Sequence, residues 1–258
     1  MEFSLIVALG ALVLFGVLLA LHELGGRLGA REMARHPDAT AGSGALEGAV
    51  FALLGLLLAF TFFGAASRFD DRRKLIVEES NAIGTAYLRL DLLPGSVQPE
   101  LREAFRRYVD QRLAVYRALP DLTAAAIELA RANESQQQIW AKVVATSTAP
   151  GSAPSAAMLL LPALNEMIDI TTTRSMAGQM HPPAIVFGLL FALMLLAALL
   201  AGYGMAAAKS RNWLYRVAFA FTLAGAAYVI LDFEFPRFGL IQVDSFDQVL
   251  VALRQSMK

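Results

Sequence analysis

Long apolar runs separated by charged segments dominate the pattern of this chain. Four runs reach the roughly 20 apolar residues that a helix needs to cross the hydrocarbon core of a bilayer. They cover residues 3–21, 44–66, 184–207 and 213–231. Glu47 is the only charged residue of the second run, Arg216 is the only one of the fourth, and the third has none. The pattern therefore predicts an all-α integral membrane protein with four transmembrane helices.

The long segment between the second and third runs predicts a helical extramembrane domain. Charged residues follow the second run at once, and no proline occurs before Pro94, so we expect the second membrane helix to continue to about Leu93. Pro99 suits the first turn of a further helix, and Asp121 suits the N-cap of the next. A low-complexity linker at residues 146–155 then precedes a helix over residues 156–180.

The predicted organisation has four parts. Residues 1–66 form a first transmembrane hairpin, 67–182 the helical domain, 183–235 a second hairpin and 236–258 an amphipathic tail. In the tail, apolar residues recur at helical spacing from Phe246 to Leu253. This spacing predicts a helix that is either docked on the protein or placed at the membrane interface.

Composition narrows the candidate functions. Hydrophobic residues make up 57% of the chain, and 22 basic residues balance 22 acidic ones, so no nucleic-acid partner is indicated. The absence of cysteine excludes disulfides and thiolate metal sites. The three histidines, His22, His36 and His181, are scattered and belong to no catalytic or metal-binding motif. We therefore expect no enzyme activity, no catalytic residues, no metal and no cofactor.

Three stretches of sequence resemble a known family. They are GALEGAVFALLGLLLAFTF at 44–62, RFDDRRKLIVEESNAIGTAYLRLDLLP at 68–94 and LDFEFPRFGLIQV at 231–243. Together they are similar to the bacterial bestrophin-like domain family, which is distantly related to the bestrophin anion channels. The resemblance implies a multi-pass protein of the bacterial inner membrane whose second span lines the pore of a ring-shaped homo-oligomer. It also implies that both termini and the 67–182 domain are cytoplasmic.

Basic residues near the ends of the spans support the two possible orientations of the protein in the membrane almost equally. One group argues that the two short loops are cytoplasmic, by the rule that Lys and Arg favour that side: Arg27, Arg31, Arg35, Lys209, Arg211 and Arg216. The other group argues for the opposite orientation: Arg68, Arg72, Arg73, Lys74, Arg174 and Arg237. The resemblance favours the second.

The second run carries two stripes at helical spacing. One stripe predicts a pore lining with an acidic mouth and a hydrophobic neck, and consists of Glu47, Phe51, Leu58 and Phe62. The other predicts close helix packing and consists of Gly44, Gly48, Ala52, Gly55 and Ala59. The alternative for the small stripe is packing within one subunit, and for Glu47 it is a favourable interaction with the helix dipole. A ring of Glu47 suits cations whereas the resemblance implies anions, so the ion stays open.

A third set of polar residues is expected to brace the helical domain, with Arg89 pairing to Glu78 or Glu166, and Arg174 near Glu166 and Asp169. Asp70 and Lys74 are spaced for an ordinary helix pair. The bracing set is Glu78, Asn81, Arg89, Glu166 and Arg174.

Two functions remain comparable: an ion channel whose second helix lines the pore, and a non-conducting membrane scaffold or sensor whose helical domain binds partners. A membrane enzyme is the least supported.

Overall fold

The computed structural model describes residues 2–36, 43–207 and 213–257, so Lys209 and Arg211 of the orientation argument lie outside the described residues. Within these ranges the chain forms eight α-helices and no strand. They are α1 (Glu2–Arg35), α2 (Ser43–Leu88), α3 (Gln98–Ala118), α4 (Leu122–Ser147), α5 (Pro154–Gln179), α6 (Ala184–Gly204), α7 (Trp213–Glu234) and α8 (Gln248–Ser256).

Four helical stretches of the described chain are long and apolar enough to cross a membrane. They are Ser4–Arg35, Gly44–Leu92, Pro154–Gly204 and Trp213–Glu234. The four stretches correspond to the four apolar runs, so the predicted all-α, four-span fold class is confirmed.

Two helices extend beyond their apolar runs. α1 continues past Leu21 and ends only at Arg35. α2 is a single helix of 46 residues followed by a 3-10 turn at Arg89–Leu92. The prediction of an unbroken helix through the end of the second run is confirmed, because no proline interrupts its backbone hydrogen bonds.

The chain divides into two compact units. The membrane unit comprises Met1–Arg68 and His181–Leu240, and the helical unit comprises Phe69–Met180 and Ile241–Lys258. The division therefore falls within α2, and the segment predicted as one tail at 236–258 is shared between the units.

In the membrane unit, α1 packs along α6 and α7. Its buried core is built largely of leucine and alanine, including Leu18, Leu54, Met194 and Ala227. Glycines bring α1 and α6 together: a Cβ added at Gly25 would overlap the backbone of Leu199, and one added at Gly202 would overlap the backbone of His22. Small residues permit this close approach of two membrane helices.

The helical unit encloses a separate apolar core, contributed by α3, α4, α5, α8 and the end of α2. The predicted helix starts are confirmed: Pro99 lies in the first turn of α3, and the Asp121 side chain accepts hydrogen bonds from the amides of Thr123 and Ala124 at 2.9 and 3.0 Å. The linker before α5 turns at Gly151, whose φ of +85° favours glycine.

The predicted C-terminal helix is docked on the helical unit. Leu250 of α8 is fully buried in the apolar core, and Val251 and Leu253 pack against it. Arg254 also donates two hydrogen bonds to the Asp110 carboxylate of α3, at 2.9 and 3.0 Å. Of the two placements expected for this helix, the structure shows the docked one.

Candidate pore surface and buried charge networks

The membrane part of α2 is apolar on both its buried and its exposed faces. Leu54, Thr61 and Ala65 are buried and hold the helix to the membrane unit. On the opposite side, Leu56 is 53% exposed and Phe60 is 65% exposed. Ala52 and Phe63 extend this exposed apolar face. A single subunit therefore leaves α2 with a hydrophobic face that nothing in the subunit covers.

Three residues of the stripe predicted to line a pore contact other parts of the same subunit. The Phe51 ring packs edge-on against Phe219, with centroids 6.3 Å apart, and the Phe62 ring packs against Phe233 at 5.8 Å. Leu58 packs against the buried core of the membrane unit. Phe62 nevertheless stays 45% exposed, and helical spacing alone does not show which face of α2 meets α7, so the predicted lining stays a prediction.

Glu47, the predicted acidic mouth, is half-buried. Its carboxylate lies where a Cβ at Gly204 would be, with Oε1 2.7 Å from that position. The absence of a side chain at Gly204 thus gives the carboxylate its space at the end of α6. Glu47 is therefore held beside a neighbouring helix of its own subunit.

The small stripe of α2 is exposed. Gly44, Gly48 and Gly55 have no atoms within 4 Å of an added Cβ, and Ala52 and Ala59 are also exposed. The stripe does not serve packing within the subunit, which was the alternative interpretation. It remains available to another helix.

An ion pair between a half-buried arginine and a buried glutamate lies at one end of the membrane unit. Arg68, at the end of the membrane part of α2, donates from Nε to Glu234 of α7 at 3.0 Å, and its Nη2 also contacts that carboxylate. His181 Nδ1 lies 3.1 Å from the other oxygen of Glu234, and its ring lies 4.6 Å from that of Phe235. Glu234 therefore connects α2, α7 and the segment that enters α6. The sequence analysis missed this cluster.

A second buried network lies in the helical unit and is centred on Glu79 of α2, which is fully buried. Arg112 of α3 donates to its carboxylate at 2.5 Å, and Arg174 of α5 pairs with the other oxygen. Arg174 also donates to Asp247 at 2.9 Å and lies 3.8 Å from the centroid of the Tyr116 ring. Two carboxylates and two guanidinium groups thus balance each other within the helical unit.

Mutual pairing keeps these groups charged despite burial. Burial by itself raises the pKa of Glu79, but the positive charges of Arg112 and Arg174 outweigh it, and the net pKa is lowered. Burial likewise lowers the pKa of Arg112, but Tyr116 and Glu79 outweigh it, and the net pKa is raised. The network is therefore ionic at neutral pH.

Neutral polar side chains extend the polar interior of the helical unit. Gln136 of α4 donates to the Tyr108 hydroxyl at 2.8 Å and to Thr171 at 3.0 Å. The hydroxyls of Tyr108 and Thr171 also lie 3.1 Å apart. Three helices are thereby joined by hydrogen bonds whose directions fix their relative rotation.

The predicted bracing residues are only partly brought together. Arg174 is in the network, but its partners are Glu79 and Asp247 rather than Glu166 and Asp169. Glu78 is exposed, and its neighbour Glu79 takes the buried position, because adjacent residues on a helix face directions about 100° apart.

The other predicted pairings also have different partners. Arg89 donates to the backbone carbonyl of Leu159 at 2.5 Å, not to Glu78 or Glu166. Asn81 is exposed at an open groove between α2 and α8. Asp70 pairs with Arg73 at 3.0 Å, and Lys74 pairs with Asp71 at 2.9 Å, so the pairs are three residues apart rather than four.

Within the described ranges, no group of three or more His, Cys, Asp or Glu side chains is placed to hold a metal ion.

The geometry defines a class: a multi-pass helical membrane protein with an exposed apolar helix face in its membrane unit and a separate helical unit with an ionic interior. A model of the bestrophin-like domain matches residues 10–245. The chain belongs to the bestrophin-like family.

Solved structures share this fold. Two variants of a bacterial bestrophin homologue from Klebsiella pneumoniae superpose with TM-scores of 0.67 and 0.65, each at 15% sequence identity. The first alignment covers 94% of this chain and 99% of the other, and the second covers 93% and 98%. A structure described as a membrane protein has a TM-score of 0.59 at 16% identity, covering 93% of this chain and 98% of the other. No curated protein sequence matches the chain significantly.

Proposed function

We propose that this protein is a subunit of an oligomeric ion channel of the bacterial inner membrane, with α2 lining the pore. The observation that carries the proposal is the exposed apolar face of α2 at Ala52, Leu56, Phe60 and Phe63. Membership of the bestrophin-like family supports it. A pore along this exposed face requires several copies of the subunit around a common axis.

The small stripe of α2 supports assembly around such an axis. Gly44, Gly48 and Gly55 lie beside the exposed apolar face, and each has open space where a side chain would be. Small residues allow membrane helices of neighbouring subunits to approach closely. Subunits that meet at this stripe would turn Leu56 and Phe60 toward the axis.

A ring of Leu56 and Phe60 side chains would form a hydrophobic constriction. Such constrictions control conduction by dewetting, so the size of these side chains decides whether ions pass. In this arrangement Phe51 and Phe62 support α2 from behind, through their contacts with Phe219 and Phe233.

Ion flux into liposomes tests the proposal. Purified full-length protein is reconstituted, and the flux of cations and anions is measured for the parent and for Phe60→Ala. We expect Phe60→Ala to raise the flux of the conducting ion, because the constriction widens. Phe51→Ala is the matched control, since it removes the same ring from the face that packs on Phe219. Equal flux in the parent and Phe60→Ala would contradict a path along this face.

The oligomeric mass in detergent separates the channel from a non-conducting scaffold or sensor. A closed oligomer that conducts supports the channel. A monomer, or an oligomer without flux for any ion tested, favours the scaffold.

For the orientation of the protein in the membrane, we propose that both termini and the helical unit are cytoplasmic.

A further inference from the structure

A ladder of arginines follows the exposed side of α1 beyond its apolar run. Arg27, Arg31 and Arg35 are spaced four residues apart, which places them on one side of a helix, and all three are exposed. The buried side of the same segment consists of His22, Gly25, Gly26 and Gly29, and it packs toward α6. The arginines therefore point away from the core of the membrane unit.

The length of α1 places this ladder at the edge of a bilayer. Its 34 residues extend about 51 Å, whereas the hydrocarbon core is about 30 Å thick. α6 ends at Gly204, and Gly29 of α1 lies against Tyr203 and Ala206, so Arg31 and Arg35 follow the part of α1 that is level with the end of α6, where the lipid head groups lie. Exposed Leu24 and Leu28 flank the arginines and can remain in contact with acyl chains.

Aromatic residues mark the same end of the membrane unit. Trp213 and Tyr215, in the first turn of α7, are 69% and 65% exposed. Arg216 of that turn donates to Glu23 of α1 at 2.7 Å, which fixes the start of α7 beside the arginine segment. Trp and Tyr concentrate at membrane–water interfaces, where one side of the ring is apolar and the other hydrated.

Two arginines of this segment, Arg31 and Arg35, are available to bind a ligand from outside the protein. Glu23 is shared by Arg27, at 3.1 Å, and Arg216. Among the described residues, no carboxylate forms an ion pair with Arg31 or Arg35, and neighbouring Glu32 is half-buried on a different side of the helix. A guanidinium group at this depth matches a phosphate oxygen in charge and in hydrogen-bond geometry.

We propose that Arg31 and Arg35 form a surface that binds the head groups of anionic phospholipids, at the same end of the membrane unit as the exposed Trp213 and Tyr215. The surface recognises negative charge at the membrane interface and is separate from the exposed face of α2. The inference rests on the membrane insertion of α1 and α7, and it holds whether or not the protein conducts ions.

Competition between two lipids tests this surface. Purified full-length protein is incubated with equal amounts of phosphatidylglycerol and phosphatidylcholine, and the lipids that remain bound are counted by native mass spectrometry. We expect the parent to prefer phosphatidylglycerol. Each basic residue near an anionic membrane surface strengthens binding about fivefold, so Arg31→Gln with Arg35→Gln should lower the preference by about 25-fold. Added salt should weaken the preference of the parent, because the arginines are exposed.

Two further variants isolate the cause. Arg31→Lys with Arg35→Lys keeps the charge and should keep most of the preference. Arg107→Gln with Arg131→Gln removes two exposed arginines from the helical unit and should leave it unchanged. Should the double glutamine variant not fold, each single variant is expected to lose about fivefold.

An unchanged lipid preference in the glutamine variants would overturn the proposal. A changed anion flux with an unchanged lipid preference would place the arginines on an ion path instead, and would overturn it equally.

Discussion

Gly202 of α6 lies directly against the backbone carbonyl of His22 in α1. No side chain separates the two helices at this point, so their distance is set by backbone contact. The same segment of α1 brings Gly25 against Leu199 and Gly29 against Tyr203. The packing of α1 on α6 therefore depends on three glycines near one end of the membrane unit.

Substitution of Gly202 tests this contact. Gly202→Ala would drive a methyl group into the His22 carbonyl, and we expect a loss of about 1–3 kcal/mol from forced separation of the helices. Thermal unfolding of the protein in detergent measures the effect. The control is Gly188→Ala on the same helix, where an added Cβ meets nothing within 4 Å. Equal unfolding temperatures for the two variants would contradict the close contact.

The buried network of the helical unit gives a second prediction. Glu79→Gln leaves Arg112 and Arg174 buried without their shared counter-charge, and we expect a loss of about 3–5 kcal/mol in the free energy of unfolding. Glu78→Gln, at the neighbouring exposed position, is the matched control and should change it little. Chemical unfolding followed by circular dichroism compares the two. A larger loss in the Glu78 variant would show that the buried position is misassigned.

The pH dependence of stability follows from the same carboxylate. The pKa of Glu79 is lowered in the folded protein from an ordinary value of 4.5, so the unfolded chain binds the proton more tightly. The stabilisation is therefore present above about pH 4.5 and is lost as the pH falls through the folded-state pKa. The stability difference between the parent and Glu79→Gln should be constant near neutral pH and shrink in acid. A difference that grows on acidification would reverse the assigned sign.

The proposed orientation is testable because the chain contains no cysteine. Ala34→Cys introduces a thiol at an exposed position of α1, and Asn133→Cys introduces one at an exposed position of α4. In spheroplasts, a membrane-impermeant maleimide should label the first variant and should reach the second only after permeabilisation. The opposite pattern would place the helical unit outside the cytoplasm.

The membrane helices and several helix boundaries were predictable because their signals are local. A long apolar run predicts a span without knowledge of its neighbours. The N-cap at Asp121 depends on two amides that follow it within three residues. The continuous α2 required only that no proline occur before Pro94.

The sites depended on contacts between distant residues, which the sequence pattern shows only indirectly. Arg112 was not among the predicted site residues, yet it follows Leu101, Phe105 and Tyr108 at steps of four, three and four, which is the buried side of α3. That spacing was the signal in the sequence that Arg112 lies on the buried side of its helix. No local pattern in the sequence shows which of Glu78 and Glu79 is buried, because that depends on where Arg112 and Arg174 lie.

The orientation of α2 within the subunit was not predictable for a similar reason. Phe51 and Phe62 form a regular stripe with Glu47 and Leu58, but Phe60 and Leu56 form another, and both are compatible with a helix in a pore. Only the packing of Phe219 and Phe233 on the first stripe distinguishes them. Spacing identifies the sides of a helix and does not show which side its neighbours occupy.

The position of Arg174 makes the C-terminal segment part of the interior of the helical unit. Its guanidinium group pairs with both Glu79 of α2 and Asp247, which lies just before α8. Deleting the chain from Asp244 onward would remove one of its two counter-charges as well as Leu250 from the core. Truncations that remove this segment would therefore disturb the interior of the helical unit as well as its surface.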